Sequence, residues 1–117
     1  MDFQVEPAAI GDATVRVPGD KSISHRAIML GSIAEGTSHV RGFLPGEDCL
    51  ATLAAFRAMG VSIEATDETS LTIQGVGLDG LKAPSGRLDL GNSGTAMRLM
   101  AGLLAGQAFD TELVGDA

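Results

Sequence analysis

The stretch VPGDKSISHRAIML, Val17–Leu30, decides how the chain is read. A strand-like run, ATVRVP, enters Gly19, and the spacing beyond it predicts a helix over 22–35. Ile23, Ala27, Leu30 and Ala34 form its apolar stripe, and Gly36 stops it. Strand, glycine corner, helix is the signature of an α/β unit. The corner is unusual for its charges: Lys21 and Arg26 fall within the first two turns or so of the helix, the end where its dipole least favours cations. Ser22, Ser24 and His25 lie between them.

Upstream, FQV (3–5) and TVRV (14–17) read as strands around the loop EPAAIGDA. Downstream, SHVRGF is a strand. LPGED then leads into a helix to about Met59, with Cys49, Leu53 and Phe56 on one face and Gly60 as its stop. VSIEATDETSLTIQGV alternates about a polar tip and predicts a hairpin, followed by the glycine-rich loop GVGLDGLKAPSG. A second cycle comes next: RLDL as strand, GNSGT as corner, AMRLMAGLLAG as a helix apolar nearly all round and so expected to be buried, and FDTELV as strand. Gly19 and Gly91 are 91 − 19 = 72 residues apart, and aligning them sets GDKSISHR on GNSGTAMR with arginine seven residues after each glycine. That agreement predicts a repeated β-α unit.

The chain has 117 residues, 44% of them hydrophobic, with four Phe and no Trp or Tyr, so its core must be aliphatic. A net charge of −7 argues against nucleic-acid or anionic-membrane binding and requires any anion site to be local. The lone Cys49, at helical spacing, reads as a small buried thiol. It fits a reducing, cytoplasmic compartment, as does the want of any leader-like or membrane-spanning run. No metal-ligand spacing is present, and Asp20 between Gly19 and Lys21 excludes a nucleotide phosphate loop. TELVGDA ends on a strand and turn without a closing element, so the expectation is a segment of a longer protein.

Each corner presents the free N–H groups of a helix start, a candidate anion seat where glycine lets a ligand approach the backbone. Lys21 adds a point charge and Arg26 a fork suited to carboxylate or phosphate. Duller readings stand beside these. Ser22 and Ser93 are good N-caps. His25 is more readily a packed or surface residue than a base. Arg98 is as well explained by an ion pair as by a ligand, and Arg41 and Arg57 are surface or structural.

PGDKSISHRA, GEDCLATLAAFRAMG and LDLGNSGTAMRLM together resemble the N-terminal part of the 5-enolpyruvylshikimate-3-phosphate synthase (3-phosphoshikimate 1-carboxyvinyltransferase) family, along essentially the whole chain. The resemblance implies an α/β (α+β) fold of repeated βαβαββ units, the inside-out α/β barrel of enolpyruvyl transferases, with only part of one lobe present. Residues 1–18 would belong to the opposite lobe and 19–117 to the first one and a half repeats. It implies transfer of the carboxyvinyl group of phosphoenolpyruvate to the 5-hydroxyl of shikimate 3-phosphate, in the shikimate pathway to chorismate and the aromatic amino acids, without metal or cofactor. Lys21, as catalytic residue, would contact both substrates. Ser22 and Arg26 would hold shikimate 3-phosphate, and Asn92 and Gly94 phosphoenolpyruvate. The remaining clamps lie beyond Ala117 in that family, so half a site is expected, in a parent enzyme expected to be monomeric. The segment alone is expected to be inactive and to expose apolar surface around Met97, Met100 and Leu104 that invites self-association. Two departures are Ser93, where many members carry Ala, and Leu99, where many carry Pro; the retained Gly94 goes with room for the inhibitor glyphosate. The alternatives are the sister transferase acting on UDP-N-acetylglucosamine, whose first corner is Lys-Asn rather than Lys-Ser, and a non-catalytic substrate-binding fragment.

Overall fold

The computed structural model describes residues 3–9 and 11–115. Elements follow in the order α1 (Lys21–Ile33), β1 (Glu35–Arg41), α2 (Glu47–Ala58), β2 (Ser62–Asp67), β3 (Ser70–Val76), β4 (Leu88–Asp89), α3 (Gly94–Ala105) and β5 (Leu113–Val114). The predicted hairpin is β2–β3, and β1 joins it to give an antiparallel sheet of order β1-β3-β2. Alternation sorts its faces. Val40 opposes Leu71 and Ser38 opposes Ile73 on the side covered by α1 and α2, whereas Thr37 bonds to Gln74 on the outer side. Ile28, Phe56, Met59, Ile73, Leu90 and Met100 share one core, fully shielded from solvent.

The second cycle closes as β4-α3-β5. The two strands pair in parallel, which the intervening helix makes possible. Each is shorter than RLDL or FDTELV suggested, because two residues of each are paired and no further strand lies beside them among the described residues.

Several expectations change. FQV and TVRV are not strands: residues 3–9 and 11–18 are exposed and without regular structure, with Phe3 86% and Val17 74% accessible. A strand forms by pairing, and no partner lies alongside among the described residues. Ile10 of the intervening loop lies outside the described residues. This segment helps account for a radius of gyration of 17.2 Å, against about 13 Å for a compact chain of this length. The buried face of α1 is Ser24, His25, Ile28, Met29 and Ser32, while Ile23 and Leu30 of the predicted stripe are 60% and 62% exposed. α3 is not buried all round: Ala96, Met100 and Leu104 face the core, and Leu99 and Ala101 face solvent. Met100 and Leu104, expected at an exposed edge, are therefore interior, and Met97 packs partly against them.

Candidate functional site

The two glycine corners differ by one residue. Asp20, directly after Gly19, caps α1, its carboxylate accepting from the Ile23 amide at 2.8 Å. Ser93, two residues after Gly91, caps α3, accepting from Ala96 N–H at 3.1 Å. Ser22 is therefore not an N-cap; it lies within the first turn, half-buried. Arg26 and Arg98, aligned by the repeat, sit one helical position apart, about 100° of rotation. Arg26 points to solvent, whereas the Arg98 guanidinium folds back until Nη1 is 2.9 Å from where a β-carbon on Gly94 would stand.

The corner glycines answer different demands. At Gly19 a side chain would collide with the Gly42 carbonyl, so its first requirement is packing against the loop into α2 rather than room for a ligand. Gly91 has φ +63°, a left-handed conformation suited to glycine, and its amide donates to the Asp89 carboxylate at 2.9 Å.

Asp48, in the first turn of α2, brings the corners together. Its Oδ2 meets Lys21 Nζ at 2.5 Å, and its Oδ1 faces Gly91, 3.5 Å from a β-carbon position there. A hollow of about 250 Å³ lined by Lys21, Gly46 and Cys49, and one of about 300 Å³ lined by Asp89, Gly91 and Asn92, share Glu47 and Asp48 as a common wall. Hydrogen bonding and the nearby charge of Asp48 raise the Lys21 pKa, so the ammonium stays charged. A larger hollow of about 480 Å³ lies between α2 and the β2–β3 hairpin. Its cation, Arg57, donates to the Ile63 carbonyl, and Asp67 and Glu68 add negative charge there, which makes it a poor seat for an anion.

Behind the corners His25 is fully buried, its Nδ1 2.8 Å from Thr52 Oγ1 and its Nε2 3.4 Å from Ser93 Oγ. Burial first, and Lys21 second, depress its pKa. It is a packed residue out of reach of any ligand in the hollows. Cys49 is buried as expected; loss of solvation chiefly raises its thiol pKa, which makes it a poor nucleophile. Asp48 and Thr52 were not singled out from the sequence. In the sequence Asp48 is one of two acids in LPGED, just ahead of a helix, and its partner lies 27 residues away. Among the described residues no group of His, Cys, Asp and Glu is arranged to hold a metal, and no helix is long and apolar enough to cross a membrane.

Residues 6–117 match the family described as EPSP synthase (3-phosphoshikimate 1-carboxyvinyltransferase). The chain is 66% identical over 115 residues to the 3-phosphoshikimate 1-carboxyvinyltransferase of Methylococcus capsulatus and 64% identical over 117 residues to that of Hydrogenovibrio crunogenus, covering 98% and 100% of this chain. It spans about a quarter, 26%, of the length of each. A solved structure of EPSP synthase from Acinetobacter baumannii superposes with a TM-score of 0.84 at 63% identity, over 88% of this chain and 23% of that one. The corners, the order of elements and these likenesses agree, and the chain belongs to the EPSP synthase family.

Proposed function

We propose that the chain forms one wall of a 3-phosphoshikimate 1-carboxyvinyltransferase active site. The 5-hydroxyl oxygen of shikimate 3-phosphate bonds to C2 of phosphoenolpyruvate, the C2–O bond to phosphate breaks, and the hydroxyl proton leaves with the phosphate. Lys21 is the catalytic cation, reaching both substrates and opposing charge that develops as phosphate departs. Ser22 and Arg26 take the carboxylate of shikimate 3-phosphate, and Asn92 and the Gly94 amide take phosphoenolpyruvate. Neither metal nor organic cofactor is required by this chemistry, and the location is cytoplasmic.

The observation supporting this reading is the Asp48 carboxylate, which pairs with Lys21 through Oδ2 and turns Oδ1 toward the Gly91 corner. In our reading both seats face one gap. Glu47, Asp48 and Asp89 crowd that gap with negative charge, so two anionic substrates need further cations. In our reading these come from the rest of a full-length enzyme, and the 117-residue chain alone turns over nothing. Its exposed Val15, Val17, Ile23 and Leu30 favour self-association of the isolated segment, the whole enzyme being monomeric.

The test is phosphate release by the full-length protein. Lys21→Ala lowers kcat by about 10²–10³, the value of one preorganised electrostatic contact; activity within an order of magnitude of the parent refutes the assignment. Turnover with UDP-N-acetylglucosamine in place of shikimate 3-phosphate would select the sister transferase instead.

A further inference from the structure

A buried group that the proposed chemistry leaves unused is the His25 ring, and its partners favour one place for its proton. Thr52 Oγ1 lies 3.4 Å from the Asp48 carbonyl, to which its hydroxyl donates. Its oxygen is thus left to accept, and the donor facing it at 2.8 Å is His25 Nδ1–H. Nε2 is then bare. Opposite it, at 3.4 Å, stands Ser93 Oγ, whose oxygen already accepts from Ala96 N–H and whose proton is free to be given to Nε2. Each proton in the chain Ser93, His25, Thr52, Asp48 carbonyl is used once. A cationic ring would turn a second N–H onto the Ser93 oxygen and leave the hydroxyl proton without an acceptor. The three side chains belong to three different helix starts: His25 lies one turn after Lys21 on α1, Thr52 one turn after Asp48 on α2, and Ser93 caps α3 directly before Gly94.

We propose that His25 is a positioning residue: a neutral ring carrying its proton on Nδ1, it ties Ser93, and with it the Gly94 corner, at a fixed spacing from Lys21. This deepens, and rests on, the reading of the Gly94 corner as the phosphoenolpyruvate seat. Loosening the tether moves one seat and not the other, because Ser22 and Arg26 are anchored on α1 itself. A purely structural role for the ring would lower stability and leave the two substrates equally affected.

The variant that cuts the tether at little cost to the helix start is Ser93→Gly, since glycine is itself a tolerated N-cap and removes the hydroxyl. In the full-length protein the KM for phosphoenolpyruvate rises about three- to tenfold, the worth of one buried hydrogen bond, and the KM for shikimate 3-phosphate stays within about twofold. The ¹⁵N-histidine spectrum of the unmodified protein at pH 7 shows a His25 ring protonated at Nδ1 and bare at Nε2, and in Ser93→Gly the Nε2 signal moves to its unbonded position. An unchanged KM for phosphoenolpyruvate, equal rises for both substrates, or a proton on Nε2 overturns the proposal. If the unmodified full-length protein transfers no carboxyvinyl group, the functional reading fails separately, and the imidazole spectrum alone decides the tether.

Discussion

His25 has the side chain of a general base and the surroundings of a core residue, and the two lead to different pH behaviour. Because burial holds its folded pKa below the ordinary 6.5, the folded chain resists a proton that the unfolded chain accepts. Stability from this group is complete above about pH 6.5 and is lost as pH falls from there toward the lowered folded value. Lys21 supports the depression and Asp48 opposes it. Thermal unfolding of the full-length protein between pH 7.5 and 5 therefore shows a fall that His25→Asn flattens; parallel curves for the two proteins would contradict the assignment. Gly94 makes a second prediction. An alanine methyl there meets the end of the flexible Arg98 side chain rather than backbone, so Gly94→Ala folds with little loss of melting temperature. It narrows the proposed phosphoenolpyruvate seat, and steady-state kinetics should show glyphosate inhibition weakened more than substrate binding. Cys49, buried with a raised thiol pKa, should react with iodoacetamide at neutral pH far more slowly than a free cysteine, and at a normal rate once the chain is denatured.

The elements show why some of the pattern was legible and some was not. The hairpin and the second helix were readable because alternation or an apolar face lay between strong stops; Gly60, at φ +90°, ends α2 as its place in the sequence suggested. The face of α1 was not, since Ser24, His25 and Ser32 count as surface residues by type. They are interior because each is satisfied: Ser24 and Ser32 hydroxyls donate to the Asp20 and Ile28 carbonyls, and the His25 ring is hydrogen-bonded to Thr52. Such bonds cannot be seen in a hydropathy pattern. The corner before α1 carries its own prediction. Ser24 Oγ also accepts from the Leu44 amide at 3.0 Å, locking the helix start to the loop into α2 across the Gly19–Gly42 contact. Gly19→Ala forces that contact apart and should cost toward the upper end of about 1–3 kcal/mol typical of overpacking, measured as a lowered urea midpoint with unchanged slope.

Across the molecule, the candidate site residues could be named from the sequence because they lie in two local groups: Lys21, Ser22 and Arg26 share one corner, and Asn92 and Gly94 another. What joins the corners was not, because the Lys21–Asp48 pair and the His25–Ser93 bond span 27 and 68 residues and depend on how α1, α2 and α3 pack. The opening strands failed for a related reason, since their alternation is real but pairing needs a neighbour. Their exposed side chains, with Ile23 and Leu30, predict that the isolated segment sediments as a concentration-dependent oligomer. Ile23→Glu with Leu30→Lys should shift it to monomer; a monomer without those changes would count against the apolar surface as the cause.

The one-residue offset between the caps Asp20 and Ser93 means that the two aligned glycine corners are not interchangeable parts. Transplanting the motif of the later unit into the earlier one, glycine upon glycine, would shift the start of the first helix by a residue and swing its guanidinium roughly a quarter of the way round the axis. Likeness in the letters thus stands beside a different helix start at each corner.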